Sequence, residues 1–190
     1  WWLYAFQTDA NWMGDYPKLA IWGDGIYMSA NLFDIYGGGC CGNPTGVRVW
    51  AFNRNDLING LPFQYVSYTL SADYANLLPS NLRGRLSPYG TPAFFASVVE
   101  PNLLHLWKFH IDWSNPINST LTGPTDLALP LFVMPCYAAY YLNCVPQKFG
   151  ESVDGLGDRL MMQLQYRNTE STFGVDGVEA LWLNHTVATD

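Results

Sequence analysis

The amino-acid sequence predicts an all-β fold in which antiparallel meander blades form a partial or complete β-propeller, with a β-sandwich as the alternative. Hydrophobic residues make up 49% of the chain and charged residues 13%, about half of the roughly 25% charged fraction of an ordinary soluble domain. Aromatic residues reach 16%, and these side chains favour strands. Helical periodicity is nearly absent, whereas short β-branched or aromatic runs alternate with Gly, Pro, Asn and Asp, as in strands joined by turns.

Composition and charge exclude several classes of protein. The many large apolar side chains can offset the entropy of ordering the chain, which excludes intrinsic disorder. Nine Lys and Arg residues stand against 16 Asp and Glu, giving a formal net charge of −7, so we expect no nucleic-acid partner. Because no apolar run reaches the ~18–20 residues that a membrane-spanning helix needs, no membrane span is predicted.

The first group of strands is a predicted four-stranded meander, because strands that follow one another in sequence usually pair. Its strands are 18–22, 26–31, 46–52 and 63–70. The first two are joined by Gly23-Asp24-Gly25, whose glycines are expected to supply the positive φ of a tight hairpin. Two short helices are also predicted, at 54–58 and 72–78, and both need tertiary support.

Two further groups of strands follow. The second group contains strands at 93–99 and 103–113, and the third contains strands at 158–167 and 178–187. The strand at 103–113 alternates cleanly, so we expect one side to be apolar and the other to carry polar groups. The apolar side includes Trp107 and Phe109, and the other side includes Lys108 and His110.

The first and third groups open in a similar way. Asp15 and Lys18 lie just ahead of an apolar strand in the first group, as Asp158 and Arg159 do in the third. A recurrence at roughly 65–75 residues is compatible with decorated propeller blades. We therefore expect a single propeller region over 1–190, with approximate blades at 15–85, 90–150 and 157–190.

The ends of the sequence are apolar and resemble the interior of strands, at 1–6 and again at 180–187. Such ends would leave strand edges unpaired. We therefore expect a fragment of a larger secreted protein. Its partners would be the remainder of that protein or neighbouring copies of it.

The four cysteines predict one disulfide. Cys136 and Cys144 bracket a short segment that a disulfide closes easily, whereas the adjacent Cys40 and Cys41 need other partners. A bridge to a part of the molecule outside this chain and free buried thiols both stay open for that pair. Four reduced core cysteines in a cytosolic protein are the alternative.

Two N-glycosylation sequons begin at Asn118 and Asn184. A disulfide and N-linked glycans both belong to oxidising, extracellular compartments. The sequence therefore predicts a secreted glycoprotein.

The candidate site consists of Asp15 and Asp158 with their neighbouring cations, Lys18 and Arg159. At the start of an innermost propeller strand these side chains would face the central channel. There they could bind a sugar, accept a proton from a substrate hydroxyl, or hold a cation such as calcium through oxygen ligands. The alternative is structural, with each carboxylate fixing its loop by accepting backbone N–H groups.

A glycoside hydrolase is the catalytic alternative. It needs two carboxyl groups roughly 5–9.5 Å apart, and Asp24 and Asp112 add to the carboxylates of the candidate site. A sialidase would also need a cluster of arginines to bind the carboxylate of its substrate, and Arg159 and Arg167 supply only two. His105 and His110 fall on opposite faces of one strand, so no metal triad is predicted.

Three stretches of the chain resemble large secreted β-propeller proteins, found mainly in bacteria and without an assigned activity. They are Asp15-Tyr16-Pro17-Lys18-Leu19, Leu106-Trp107-Lys108-Phe109-His110-Ile111-Asp112-Trp113 and Gly157-Asp158-Arg159-Leu160-Met161. The match runs in order from about 4 to 187, and the glycine- and cysteine-rich segment within 34–42 departs from it. The resemblance implies an extracellular propeller and no catalytic motif.

These observations favour an extracellular protein with a binding or structural role over an enzyme. A carbohydrate-active hydrolase with acidic residues at the channel mouth is the first alternative. A subunit of an extracellular filament or surface layer, in which strand-like ends pair with a neighbouring chain, is the second. Glycans are the candidate ligands in the binding role.

Overall fold

The computed structural model describes residues 1–37, 42–136, 143–157, 159–169 and 177–188. These residues form an all-β fold, as predicted, with one short α-helix and one 3₁₀ turn at Pro116–Asn118. No helix within the described ranges is both long and apolar enough to cross a membrane.

The first sheet confirms the predicted four-stranded meander. Its strands are β1 (Met13–Ile21), β2 (Gly25–Asp34), β3 (Asn43–Asn53) and β4 (Tyr65–Leu70). They are hydrogen-bonded in the order β1-β2-β3-β4, and each pair is antiparallel. The topology follows the chain: a tight turn joins β1 to β2, and the β3–β4 connection contains the short helix.

The turn between β1 and β2 forms as expected, but its glycines act differently from the prediction. Trp22 N–H donates to the carbonyl oxygen of Gly25 over 2.9 Å, and neither Gly23 nor Gly25 has a φ in the left-handed region. The prediction of positive φ is therefore wrong. Position 25 needs a glycine for a steric reason instead. A Cβ there would lie only 3.0 Å from the carbonyl oxygen of Phe52.

The first predicted helix is confirmed as α1 (Arg54–Asn59). The side chain of Asn53 caps it by accepting from the backbone N–H groups of Asn55 and Asp56 over 3.0 and 3.3 Å. Gly60, at φ 72°, ends it.

The second predicted helix is wrong, since 71–77 is a series of turns that leads into a strand. Tyr74 N–H donates to the carbonyl oxygen of Ser71. Asn76 takes a φ of 59°, and its N–H donates to the side chain of Asn31 over 2.9 Å. Side-chain bonding to a distant strand and burial of Leu77 outweigh the weak helical preference of this segment.

The remaining strands are β5 (Leu78–Leu82), β6 (Ala93–Glu100), β7 (Leu103–His110), β8 (Thr120–Ala128), β9 (Asn143–Gln147), β10 (Gly150–Asp154), β11 (Met161–Asn168) and β12 (Glu179–Asn184). β9 and β10 form a separate hairpin, and the others form a sheet in the order β12-β11-β5-β6-β7-β8. β11 runs parallel to β5, with Tyr166 opposite Leu82. This sheet therefore contains strands from all three predicted units.

One face of the first sheet packs against one face of the second. The Tyr27 and Phe109 ring centroids lie 5.5 Å apart, and those of Tyr68 and Phe109 lie 5.3 Å apart. The alternation predicted for 103–113 is confirmed, because Trp107 and Phe109 are buried in this core whereas Lys108 is exposed. Buried members of the core also include Trp22, Val47, Val49, Ala51, Leu77, Ala93, Phe95, Ile111 and Tyr166.

The segment 1–12, before β1, lies on the outer face of the first sheet and forms no strand. The strand predicted at 1–6 is therefore wrong. Phe6 packs edge-on against Phe52 and Tyr65, at centroid distances of 4.9 and 5.4 Å. Asp9 forms an ion pair of 2.7 Å with Arg48. Side-chain packing, not strand pairing, attaches this segment.

Candidate functional site

A cleft of about 670 Å³ opens where three connecting segments meet. The segments are 22–24 in the β1–β2 turn, 86–91 between β5 and β6, and 110–114, which starts at the last residue of β7. The first belongs to the first sheet and the other two to the second. The cleft thus lies at one end of the shared core.

Two tryptophan hydrogen bonds fix the walls of this cleft. The indole N–H of Trp113 donates to the carbonyl oxygen of Asp24 over 2.8 Å. The indole N–H of Trp22 donates to the carbonyl oxygen of Thr91 over 3.2 Å. Each bond joins the β1–β2 turn to a segment of the second sheet, so the three segments are held in place before a ligand arrives.

Asp24 carries a carboxyl group against the packed interior. The hydroxyl of the fully buried Tyr27 donates to Asp24 Oδ1 over 2.9 Å. Although the turn itself is exposed, burial of the carboxyl group raises the pKa of Asp24, and the hydrogen bond from Tyr27 and the nearby His110 oppose that rise. Burial and the neighbouring carboxylate raise the pKa of Tyr27, so its hydroxyl stays a donor.

Asp112 carries the second carboxyl group of the cleft and fixes its own loop. Asp112 Oδ1 accepts from the hydroxyl of Ser114 over 2.6 Å and from the backbone N–H groups of Ser114 and Asn115 over 2.9 and 3.0 Å. These bonds, led by that from the Ser114 hydroxyl, lower the pKa of Asp112. The two carboxyl groups of the cleft are therefore shifted in opposite directions.

The rest of the lining is aromatic and hydroxylic. Tyr89 is fully exposed at the tip of its segment, and Trp113 is half-buried. Hydroxyl groups come from Ser87, Thr91 and Ser114. Flat aromatic rings can pack against the apolar faces of sugar rings, while carboxylates and hydroxyls bind their hydroxyl groups.

The structure places part of the predicted site elsewhere. Lys18 Nζ lies 3.6 Å above the ring centroid of Tyr16, and Arg159 Cζ lies 5.7 Å from the same centroid. Asp15 is exposed on β1 beside the bulge that contains Tyr16. Lys18 and Arg159 thus come together, but none of these side chains lines the cleft. Asp158 lies outside the described residues.

The predicted Cys136–Cys144 disulfide is present, with Cα atoms 5.5 Å apart. Cys40 and Cys41 lie outside the described residues. Asn118 and Asn184 are both exposed. Glycosylation at these two positions stays a prediction.

The histidines occupy the separate positions that the strand alternation predicted. His105 is buried, with its Nδ1 2.7 Å from Asp126 Oδ1, whereas His110 is exposed at the cleft. Among the described residues, no three His, Cys, Asp or Glu side chains are grouped so that they could hold a metal ion. A calcium site that includes Asp158 stays a prediction.

Asp24 and Asp112 were predicted only as further carboxylates for a hydrolase, and Tyr89 and Trp113 were not predicted as site residues. One local signal was available. Trp22 and Asp24 share a turn, and Asp112 and Trp113 are adjacent in another. No protein-family model, curated protein or solved structure matches this chain, so the resemblance to secreted propellers stays a prediction and the function rests on the cleft.

Proposed function

We propose that this chain is an extracellular binding protein whose cleft takes a polyhydroxylated ligand of the glycan class. The observation that carries the proposal is the combination of Tyr89 and Trp113 with the carboxyl groups of Asp24 and Asp112 in one cleft. Glycan ligands offer apolar ring faces and hydroxyl edges, which match these two kinds of group. The Cys136–Cys144 disulfide supports an oxidising compartment.

A β-sandwich is the architecture that the packing supports best. Residues from opposing faces of the two sheets share one core, as in sandwiches, where the inner faces interdigitate. A propeller would instead place successive sheets around an axis. The binding role does not depend on this choice, because the cleft is formed by segments at one end of the sheets.

The hydrogen bonds that Asp24 and Asp112 accept from the protein itself favour a binding role over catalysis. Asp112 Oδ1 accepts three hydrogen bonds from its own loop, and Asp24 Oδ1 accepts from Tyr27. The two carboxyl groups therefore line the cleft and also stabilise the conformation of its walls. A rigid, preformed wall lowers the entropy cost of binding.

The test is a glycan panel followed by titration calorimetry with the best ligand. Trp113→Ala and Tyr89→Ala each remove an aromatic face, and we expect about a tenfold loss of affinity, as for aromatic anchors in other interfaces. Phe149→Ala is the matched control for Tyr89→Ala, because Phe149 is almost as exposed as Tyr89 and lies outside the cleft. The proposal fails if no glycan binds, or if the cleft variants bind as the control does.

A glycoside hydrolase is the second candidate, favoured by one specific observation. The pKa of Asp24 is raised and that of Asp112 is lowered within the same cleft, and such a divided pair can act as acid and base. Asp24→Asn and Asp112→Asn would then each abolish hydrolysis and leave a folded protein. A glycan that binds the wild type and is never cleaved rejects this candidate.

A subunit of a filament or surface layer is supported by one edge of the first sheet. On β1, Leu19 and Ile21 are more than half exposed, and β1 has β2 as its hydrogen-bonded neighbour in that sheet. An apolar edge strand can pair with another chain. Mass measurement in solution tests this, since a stable monomer of 21.4 kDa would exclude it.

A further inference from the structure

Three arginines converge at one corner of the second sheet. Arg83 and Arg85 follow the end of β5, and Arg167 lies near the end of β11. Because β5 and β11 are parallel and Leu82 lies opposite Tyr166, the residues that follow these two come side by side. We call this group, Arg83, Arg85 and Arg167, the arginine corner. It holds three of the nine Lys and Arg residues of a chain with a net charge of −7.

Local contacts position Arg167 within the arginine corner. Arg167 Nε and Nη2 donate to the amide oxygen of Gln165 over 3.1 and 3.3 Å when that oxygen faces the guanidinium group. Gly84 takes a φ of 87°, and a Cβ there would lie 3.3 Å from Arg167 Nη1. The three arginines are nevertheless exposed. Arg83 and Arg167 thus occupy neighbouring positions at the surface, with Arg85 two residues beyond Arg83.

The corner adjoins the cleft. Arg85 is followed directly by Leu86, which lines the cleft. The side-chain amide of Asn168, next to Arg167, donates to the carbonyl oxygen of Leu86 over 3.0 Å. A ligand longer than the cleft would therefore pass over Leu86 and reach the arginines.

We infer that the arginine corner is a subsite for the anionic groups, carboxylate or sulfate, of an acidic polysaccharide held in the cleft. The inference rests on the proposed glycan-binding function and names its ligand class. Arginine presents a planar fork of donors that matches carboxylate and sulfate oxygens. The carboxyl groups of Asp24 and Asp112 disfavour an anionic group inside the cleft, so the charged units of the ligand would lie at the corner.

The negative net charge of the chain favours an acidic polysaccharide over nucleic acid as the ligand. A nucleic-acid strand carries a phosphate at every nucleotide, and its backbone would run past acidic cleft groups as well as the arginines. A polysaccharide can alternate neutral and charged units. That spacing fits a cleft with carboxylates beside a basic corner.

The experiment compares three oligosaccharides of equal length by calorimetry: a neutral N-acetyllactosamine hexamer, a hyaluronan hexamer, in which neutral and carboxylate units alternate, and a keratan sulfate hexamer, in which neutral and sulfated units alternate. Single-stranded oligo-dT of similar charge is the fourth ligand. The variants are Arg83→Gln and Arg167→Gln, alone and combined. Arg54→Gln, which removes one exposed arginine from α1, is the matched control for each single variant. Thermal unfolding of each variant verifies that it is folded.

We expect at least one anionic oligosaccharide to bind the wild type roughly tenfold more tightly than the neutral one. Each single variant should reduce this advantage and the double variant should lose it, whereas Arg54→Gln should keep it. Binding of the hyaluronan hexamer alone assigns the corner to carboxylates, and binding of the keratan sulfate hexamer alone assigns it to sulfates.

Three results overturn the inference and leave the proposed function standing. In the first, neutral and anionic oligosaccharides bind the wild type equally. In the second, Arg54→Gln costs as much affinity as each single variant, which indicates general charge effects. In the third, oligo-dT binds as tightly as the acidic oligosaccharides with the same dependence on the arginines. If no glycan of the panel binds, the proposed function and the inference both fail.

Discussion

The indole N–H of Trp113 donates to the carbonyl oxygen of Asp24 across 89 positions of the chain. The bond joins the segment after β7, in the second sheet, to the β1–β2 turn of the first. Each partner also lines the cleft. One hydrogen bond thus contributes both to the attachment of the two sheets and to the shape of the candidate site.

Trp113→Phe tests this bond, because it keeps an aromatic ring and removes the N–H donor. We expect the free energy of unfolding to fall by about 1 kcal/mol, the usual net value of one hydrogen bond. Urea denaturation measures the change, and Trp182→Phe is the control, since Trp182 is exposed on β12. Equal losses in the two variants would show that the bond to Asp24 contributes nothing.

Asp24 should make the folded protein less stable as the pH rises. Burial raises its pKa above the ordinary 3.8, so between the two values the folded state binds more protons than the unfolded chain, and the free energy of unfolding falls with pH. We therefore expect Asp24→Asn to gain stability relative to the wild type on going from about pH 3 to pH 7. Urea denaturation at several pH values measures this difference; a fall in the relative stability of the variant would contradict the burial of the carboxyl group.

Asp112 should make the folded protein more stable as the pH rises, in contrast to Asp24. Hydrogen bonds from the Ser114 hydroxyl and the Asn115 N–H lower its pKa, so its stabilising effect is present above 3.8 and is lost as the pH falls through the folded value. Asp112→Asn should be less stable than the wild type at neutral pH, with a deficit that shrinks in acid. The same denaturation series tests this, and a deficit that is constant with pH would assign it to loop shape alone.

Local patterns predicted the elements that depend on neighbouring residues. The β1–β2 hairpin and the alternation of Trp107 and Lys108 on β7 are of this kind, since turn residues and a period of two determine them. β5 was not predicted, because Leu78–Leu82 contains a proline and its apolar and polar residues do not alternate clearly. Its pairing with the parallel β11 depends on a strand far away in the chain.

The candidate site was harder to predict than the strands for the same reason. The walls of the cleft come from 22–24, 86–91 and 110–114, and no local signal places these segments together. The arginine corner likewise forms only when Arg83 and Arg167 become neighbours through the β5–β11 pairing. In the sequence, Arg167 stands more than 80 positions from Arg83 and Arg85, so no local pattern marks the three as a basic cluster.

Phe6 should hold the segment 1–12 on the outer face of the first sheet. Its ring packs against Phe52 and Tyr65 and is partly buried. We expect Phe6→Ala to lower the free energy of unfolding by about 2 kcal/mol, below the range for a fully buried ring, and to speed proteolytic cleavage within the segment. Leu3→Ala is the control, because Leu3 is almost fully exposed; cleavage at the same rate in both variants would mean that Phe6 does not anchor the segment.

Gly25 and Gly23 give a final test of why the β1–β2 turn contains two glycines. A Cβ at Gly25 would lie 3.0 Å from the backbone oxygen of Phe52 and 3.2 Å from the Tyr27 ring, whereas a Cβ at Gly23 would have no neighbour within 4 Å. Because the Phe52 oxygen belongs to β3, it cannot move without disturbing the sheet. We expect Gly25→Ala to cost roughly 1–3 kcal/mol, as overpacking does, and Gly23→Ala to change stability by less than about 0.5 kcal/mol. Thermal and urea denaturation of the two variants measure these values. Equal and large losses would instead indicate that backbone conformation, not space, requires both glycines.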